Sequence, residues 1–400
     1  MPASILYHTN QIENVQVKKI EHFSDKIVFT VLYQPLRLIC PCCDHAQHSR
    51  KGSKIRLLRM APLGDKAAFL AVELQRLKCL VCDTVWWPTM PFVRGKRRVT
   101  VSFERFVVKL MAFSTIEHTA KFLGVSWSLV KNIHKSYLQQ NYQKPDLSTL
   151  QYVGVDEFSI RKGHEYMTIF IDLKTCEILH AIEGKSLNSV KSFMLTLQEQ
   201  ATNLKAISMD MNAPYARAVR DYLPGVDIVY DRFHVMKLLS ETLEEVRREQ
   251  QSKCNQAGLQ VLKGCRFLLL KNYEKLDLQK QKSLSCLLEA NLPLATVHTM
   301  KEQLRLFWTK PDSKEGVKFL CWWVMDAIES NILGLVKTGK TLLRRGQDLL
   351  NYFKHRISNG KTEGVNNKIK TMKRQAYGFR DIEYFKLRLY NLHKTRYSFA

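Results

Sequence analysis

Two textures of apolar and polar positions follow one another along the chain. Residues 15–39 carry alternating runs, V-Q-V-K-K-I and K-I-V-F-T-V-L-Y, with the period of two expected of half-buried strands. Between Thr100 and Gln140 the period lengthens to that of helices. In T-A-K-F-L-G-V-S-W-S-L-V-K-N-I-H-K-S-Y-L, Ala120 stands four residues before Gly124, and Val130 and Ile133 follow at helical spacing. A small alanine lets two helices approach and a glycine turns the chain, so the stretch predicts a helix-turn-helix. Its second helix, from about Ser126 to Leu138, would present Trp127, Ser128, Lys131 and Asn132 to bases or phosphates. Any helical hairpin would share the spacing.

Asn141–Leu150, with Pro145, Asp146 and Ser148, reads as a linker, and strands then alternate with helices. Strands are expected at Gln151–Asp156, Glu165–Asp172, Glu177–Glu183, Lys205–Asp210 and Asp227–Asp231, with Asp172–Thr175 as a hairpin turn. Helices are expected at Leu187–Gln200 and Ala213–Tyr222. Three antiparallel strands followed by two strands separated by helices is the order of an RNase H-like α/β fold with a mixed sheet. From His234 to Ser358 the pattern is almost wholly helical, which predicts a large all-helical insertion at about 235–357. The expected domains are thus a module at 1–98, a helix-turn-helix region at 99–145 and an α/β domain at 150–400 that the insertion interrupts. Trp308, Trp322 and Trp323 in the insertion read as core aromatics, or as candidates for stacking on an unpaired base.

Charge narrows the partners. With 62 basic and 37 acidic residues in 400, a formal charge of +25 favours a polyanion, and Lys361–Ala400 alone carries 10 basic residues against 3 acidic. No apolar run is long enough to span a bilayer; the strongest, Phe319–Ile328, is interrupted by Asp326 and followed by Glu329. The first residues, M-P-A-S-I-L-Y-H-T-N, lack the basic and apolar regions of a signal peptide, so a cytoplasmic, nucleoid-associated protein is expected.

Five of the ten cysteines fall between Cys40 and Cys82. Cys40-Pro41-Cys42-Cys43 and Cys79-Leu80-Val81-Cys82 are two C-x-x-C pairs, each able to offer two thiolates to a tetrahedral Zn²⁺. Cys40, Cys43, Cys79 and Cys82 are the expected ligands of a structural zinc, although Cys42, His45 and His48 stand close enough to replace one. Arg50, Lys51, Lys54, Arg56, Arg59, Arg76 and Lys78, then Arg94, Lys96, Arg97 and Arg98, surround the pairs with positive charge.

Candidate chemistry gathers on carboxylates. In Q-Y-V-G-V-D-E-F an apolar run ends in Asp156, and in S-M-D-M-N another ends in Asp210. If these strands are parallel neighbours, the two acids share one sheet edge and repel unless a cation lies between them; oxygen ligands suit Mg²⁺ or Mn²⁺. A third acid would complete a two-metal site for phosphodiester chemistry. S-N-G-K-T-E-G-V-N-N-K-I-K-T-M-K-R supplies one on an amphipathic helix, with Val365, Ile369, Met372 and Ala376 on the apolar face and Glu363, Asn367, Lys370 and Arg374 opposite. Taken alone, Glu363 could equally be a surface acid at the positive end of its helix.

The runs V-G-V-D-E-F, S-M-D-M-N-A-P-Y, D-R-F-H-V-M-K-L-L and S-N-G-K-T-E-G-V-N-N-K-I-K-T-M-K-R-Q-A-Y-G-F-R-D together resemble the bacterial insertion-sequence transposases of the ISL3 family, over nearly the whole chain. The resemblance implies a DDE enzyme with Asp156, Asp210 and Glu363 as its acidic triad. It further implies binding of the element's terminal inverted repeats, metal-dependent strand cleavage, and attack of the freed 3'-hydroxyl on target DNA. Lys370 and Arg374 would hold the DNA backbone, and two ends held together imply a homodimer or larger assembly. Asp231 and His234 match a C/D-x-x-H motif of related superfamilies; Asp231 would support the site by orienting His234, or simply start a helix. A regulator that has lost catalysis, or a nuclease on the same fold, would share the modules.

Overall fold

The computed structural model describes residues 2–161, 165–184, 186–256 and 265–392. Its chain divides into two units, one built on residues 1–142 and the other on residues 143–393.

In the first unit, α1 (Pro2–Asn10) precedes β1 (Val15–His22) and β2 (Lys26–Tyr33), the long hairpin β3 (His48–Leu63) and β4 (Lys66–Cys79), and the short β5 (Val85–Trp86). The sheet order is β1-β2-β4-β3, with β5 also on β4 and with β2 and β4 parallel. Alternate residues of β2 and β4, Phe29, Val31, Leu70, Val72 and Leu74, bury one face together with Leu6, Leu58 and Met60. Both strands expected here form. The β3–β4 hairpin is hidden in the pattern, because the first half of β3, Arg50 to Ile55, is exposed and mostly polar and reads as surface.

Three helices follow, α2 (Val101–Leu110), α3 (Ile116–Leu123) and α4 (Trp127–Asn141). Thr100, Thr115 and Ser126 cap them, each side chain accepting from the amide three residues on. Gly124 ends α3 at φ 63°, where a side chain would be strained, and the Val125 amide returns to the Ala120 carbonyl. Phe103, Val107, Ala120, Leu123, Val130 and Ile133 form the core between them. The expected helix-turn-helix is α3–α4.

The second unit opens with β6 (Tyr152–Arg161), β7 (Glu165–Asp172) and β8 (Ile178–Glu183), then α5 (Leu187–Gln200), β9 (Ala206–Met209), α6 (Ala213–Tyr222) and β10 (Asp227–Tyr230). The strand order is β10-β9-β6-β7-β8; β6, β7 and β8 are antiparallel neighbours, and β9 runs parallel to β6 and β10. Val153 and Val155 of β6 enter a core with residues of α5 and α6, whereas Phe158 and Ile160 face Val365, Ile369 and Phe385 across the sheet. The β6 strand is longer than expected: it continues five residues past Asp156, because β7 still pairs with it there.

The insertion comprises α7 (Arg232–Gln256), α8 (Arg266–Leu270), α9 (Leu278–Glu289), α10 (Leu292–Leu304), α11 (Ser313–Glu329), α12 (Leu333–Arg344) and α13 (Gly346–His355). Its apolar residues continue the core of the sheet, from Val235 and Leu239 to Trp308, Trp323 and Leu349. Trp323 donates its indole N–H to Met300 O at 2.9 Å, so it and buried Trp308 are core residues, while Trp322 is exposed. After the insertion come α14 (Gly360–Gln375) and α15 (Ile382–Tyr390). None of the described helices is long and apolar enough to cross a membrane.

The last inserted helix covers the sheet edge. Asn351 on α13 donates to the Ile228 carbonyl at 3.0 Å, Arg220 meets Asp348 at 2.6 Å, and Lys354 and His355 each reach Asp227 Oδ2 at 2.7 Å. Although burial alone would raise the Asp227 pKa, its hydrogen bonds to Lys354 and His355 hold it below the ordinary carboxylate value. A depressed acid stabilises the fold fully above its unfolded pKa and loses that contribution as pH falls through the folded value. Asp227→Asn should therefore lower stability by about 1 kcal/mol at pH 7, a figure reduced for the exposure of Lys354. Denaturant titrations should show the wild type and the variant converging as the pH drops below the ordinary aspartate range.

Candidate active site and cysteine cluster

The parallel register of β6 and β9 sets the site. Tyr152, Val153 and Gly154 lie opposite Ala206, Ile207 and Ser208, and the same offset carried forward puts Asp156 level with Asp210, the first residue after β9. Two acids thus meet where the shorter strand ends. Asp156 Oδ1 accepts the Glu157 amide at 2.7 Å, and Oδ2 accepts the Asn366 side-chain amide at 2.5 Å. Burial, opposed by the Glu157 amide but reinforced by the charge of Asp210, raises the Asp156 pKa to about 6.

Asp231 extends the β10 ladder, its amide reaching Met209 O at 3.0 Å, and α7 begins directly after it. Nδ1 of His234 lies 3.1 Å from Asp231 Oδ2 and 2.7 Å from Asp210 Oδ1. The shorter approach is an ion-pair contact out of line for a hydrogen bond: Asp210 Oδ1 is buried with no donor aimed at it. Burial works against a charged imidazole, yet the two carboxylates outweigh it and raise the His234 pKa to about 9. The Asp231 carboxylate lies against His234 Nδ1 and its carbonyl accepts the His234 and Val235 amides where α7 starts, so the residue is placed for both of the roles that the sequence leaves open.

The first turn of α14 packs directly on β6. Asn359 donates to Val155 O at 3.1 Å, Thr362 donates to Asn359 Oδ1 at 2.7 Å, and Lys361 donates to Leu173 O at 2.7 Å. Gly154 permits this approach, since a Cβ there would collide with Thr362 Oγ1 and stand 2.8 Å from Leu173 Cδ2. Val365, Ile369 and Met372 are buried as their stripe predicts, and Glu363 is exposed in the first turn. Among the described residues Glu363 does not join Asp156 and Asp210 in a group whose ligand oxygens all lie within 4.8 Å of one another. Asn366, three residues on and so on a neighbouring strip of the helix, is the residue that touches Asp156. Lys370 and Arg374 are exposed further along α14.

A second tie crosses the sheet. Asn212 donates to Glu157 Oε1 at 3.1 Å, linking the residue after Asp156 to the residue two beyond Asp210. Below it the buried Tyr215 and Thr168 hydroxyls lie 2.8 Å apart, and Thr168 donates to Gly184 O at 2.7 Å. Sequence patterning missed Asn366, Asn212 and Asn359. Their only signal was an unusual density of asparagine beside the acidic runs.

In the first unit Cys40, Cys43, Cys79 and Cys82 bring their sulfurs within 4.8 Å of one another, a group that could hold a metal ion. The two halves match: the Cys40 amide donates to His45 O and the Cys79 amide to Thr84 O, each five residues on, and Asp44 and Asp83, each directly after its pair, both take φ 59°. The Val81 amide points at Cys79 Sγ from 3.4 Å. Hydrogen bonds from Thr84, side chain first, draw the Cys82 thiol down to about 6. Cys42 is exposed, and His45 and His48 turn their Nδ1 atoms to the Cys43 and Ala46 carbonyls, so the fourfold cysteine set stands without them.

On α4, Trp127, Ser128 and Asn132 are exposed, and Lys131 Nζ lies 5.6 Å from the Trp127 ring centroid. Not all of the expected basic surface is free: Arg97 pairs with buried Glu104 at 2.6 Å and bonds Ser136 at 2.8 Å, tying α4 to α2.

Comparison with known proteins agrees with both units. Residues 153–389 match a family model described as a transposase of the ISL3 type, and residues 88–138 match the helix-turn-helix domain of transposase family ISL3. The chain is 30% identical over 356 residues to the transposase for insertion sequence element IS1001 of Bordetella parapertussis, covering 88% of each. It is 24% identical over 374 residues to the transposase for IS1557 of Mycobacterium tuberculosis, covering 86% of this chain and 83% of that one. Among solved structures, a Drosophila P element transposase strand transfer complex aligns at 10% identity over 76% of this chain and 93% of that one, with a TM-score of 0.38, too remote to carry an argument. A family model spanning most of the second unit, a second over the helix-turn-helix and a near full-length relative agree: the chain belongs to the ISL3 family and is a DNA transposase.

Proposed function

We propose that Asp156, Asp210 and Glu363 are the DDE triad of an RNase H-like domain at residues 150–400, interrupted by the insertion at about 235–357. The observation that carries this reading is the shared register of Asp156 and Asp210 on parallel strands, with Asp210 Oδ1 buried and without a donor. Two carboxylates so placed, one already raised toward 6, are a natural seat for Mg²⁺ or Mn²⁺. Glu363, on the exposed first turn of the helix that Asn366 fastens to Asp156, supplies the third carboxylate. Divalent ions held by these residues would supply activation of a water or 3'-hydroxyl and stabilisation of a leaving oxygen.

The chain's own groups prepare that chemistry. Asn366 and the Glu157 amide fix both oxygens of Asp156, which leaves little rotation of the carboxylate. Asp231 fixes His234 against Asp210, and Asn212 holds the two acidic strand ends together. Lys370 and Arg374, exposed on α14, would meet the phosphates on either side of the scissile bond. The 1–98 module, a zinc ribbon closed by Cys40, Cys43, Cys79 and Cys82 around Zn²⁺, and the helix-turn-helix region at 99–145 would bind the terminal inverted repeats. Trp127, Ser128, Lys131 and Asn132 are the contacts proposed there. Joining two ends to a target requires at least a dimer, and the work is done at the bacterial nucleoid.

Purified protein given labelled terminal-repeat DNA and Mg²⁺ should cut it and join the freed 3' end to a second duplex, while Asp156→Asn binds the DNA and leaves it intact. Equal activity in both would remove Asp156 from the chemistry. Asn366→Ala should raise the Mg²⁺ needed for half-maximal cleavage by about 10- to 100-fold, the range found when a ligand's supporting hydrogen bond is lost; an unchanged metal dependence would make Asn366 a packing residue only. Metal analysis should find roughly one zinc per chain, and Cys79→Ser should release it and weaken repeat binding. A Cys79→Ser protein that retained wild-type zinc would overturn the ligand assignment.

A further inference from the structure

The first turn of α7 carries a phenylalanine that the fold does not use. Val235, Leu239, Leu243 and Val246 form the buried stripe of this helix, and Phe233 lies two residues before Val235, roughly 200° around the axis from it. Its side chain is 63% exposed and joins none of the apolar cores. Among the described residues its ring contact is with His234, centroids 5.3 Å apart and planes at 86°, and most of the ring remains exposed. The other aromatic of this corner, Trp308, is already buried, with the Arg232 guanidinium 5.2 Å from its ring centroid.

The position of Phe233 identifies its occupant. It adjoins the imidazole that contacts Asp210 at 2.7 Å, and exposed Arg232 and Lys237 flank it with positive charge. Any group resting on the ring therefore lies one side chain from the carboxylate proposed to face the scissile phosphate, in a setting that favours a polyanion. An aromatic face offered beside a phosphate backbone suits a nucleobase, because every base has a π face and stacking does not depend on sequence. Apolar wedges used this way hold a base out of the duplex and open the strand at that step.

We propose that Phe233 is a base-stacking residue, its ring receiving a nucleobase next to the scissile phosphate once that base has left the duplex stack. The idea rests on the proposed acidic site, but it can fail independently. Because Phe233 is exposed and outside the core, Phe233→Ala should fold as the wild type does, and Phe233→Trp keeps a stacking face.

The test uses the full chain with 2-aminopurine placed in turn at each position flanking the cleavage point of a terminal-repeat duplex, in Ca²⁺ so that binding proceeds without cutting. Wild type and Asp156→Asn should both brighten the probe at one position, Phe233→Trp should quench or retain that signal, and Phe233→Ala should leave the base stacked. In Mg²⁺, Phe233→Ala should cut paired ends about tenfold more slowly, in line with the loss of one stacking contact. An abasic nucleotide at the position found by fluorescence should bring its rate back to within about twofold of wild type, since no base then needs holding. Unchanged fluorescence in Phe233→Ala, a defect equal on paired and abasic ends, or a loss of assembly size in its place would each overturn the proposal and assign Phe233 to packing against protein. If Asp156→Asn cut as fast as wild type while the fluorescence pattern held, the acidic site would fail and the stacking site would stand.

Discussion

Everything in the second unit depends on how closely the start of α14 lies on β6. Backbone and short polar groups make that contact: Asn359 on Val155 O and Thr362 on Asn359, over the bare Cα of Gly154, and Asn366 on Asp156 beyond them. A methyl group there would force the helix away from the strand, and Asn366 would leave Asp156 with it. Because the helix start brings Glu363 along, the proposed third acid is positioned by the same approach. The partners come from opposite ends of a long helical excursion, so the excursion must return the chain accurately. Its inserted helices share one core with the sheet, and α13 is fastened to β10 before α14 begins.

Electrostatics would pull this arrangement apart without its neutralising partners. Three aspartates stand close together on adjacent strands, Asp156 within β6 and Asp210 and Asp231 directly after β9 and β10, and two of them are held by hydrogen bonds: Asp156 by two amides, Asp231 by the His234 ring. Asp210 lacks a comparable hydrogen bond, and the imidazole beside it balances its charge. The raised pKa values have different leading causes: burial, with a lesser push from the charge of Asp210, lifts Asp156, whereas the Asp210 and Asp231 carboxylates lift His234 against its burial. Carboxylates gathered in this way favour a divalent cation.

What the sequence discloses and what it hides divides along a physical line. Asp156 and Asp210 are legible as candidates because an apolar run leads into each; that pattern alone is common, and it is the parallel register of β6 and β9 that brings the two level. Gly124 is legible because a helix-turn-helix needs a left-handed residue at that point, and φ is 63° there. Asn366, Asn359 and Thr362 are hidden, since patterning assigns short polar residues on a charged helix to solvent whereas all three are buried. Arg97 is hidden the other way: counted among surface charges, it is bound to buried Glu104 between two helices. The length of β6 is hidden because an acid reads as a strand end, whereas antiparallel pairing with β7 carries the strand onward after β9 has stopped.

The same logic resolves the spacing of the cysteines. A long spacer between two C-x-x-C pairs looks unfavourable if it is a loop, because closing a flexible segment loses entropy with length. Here the spacer is mostly the β3–β4 hairpin, and a hairpin brings its own ends together. His48, just beyond the first pair, is the register partner of Cys79, the first residue of the second pair. The ladder between them, and the apolar face it buries, compensate the closure before any metal is considered. The two pairs therefore meet as a consequence of strand pairing, and the long spacer is the device that joins them. A hairpin slipped by one residue would turn Cys79 to the opposite face of its strand. The cysteine geometry thus reports the register of the sheet as directly as the Asp156–Asp210 pair reports the register of β6 and β9.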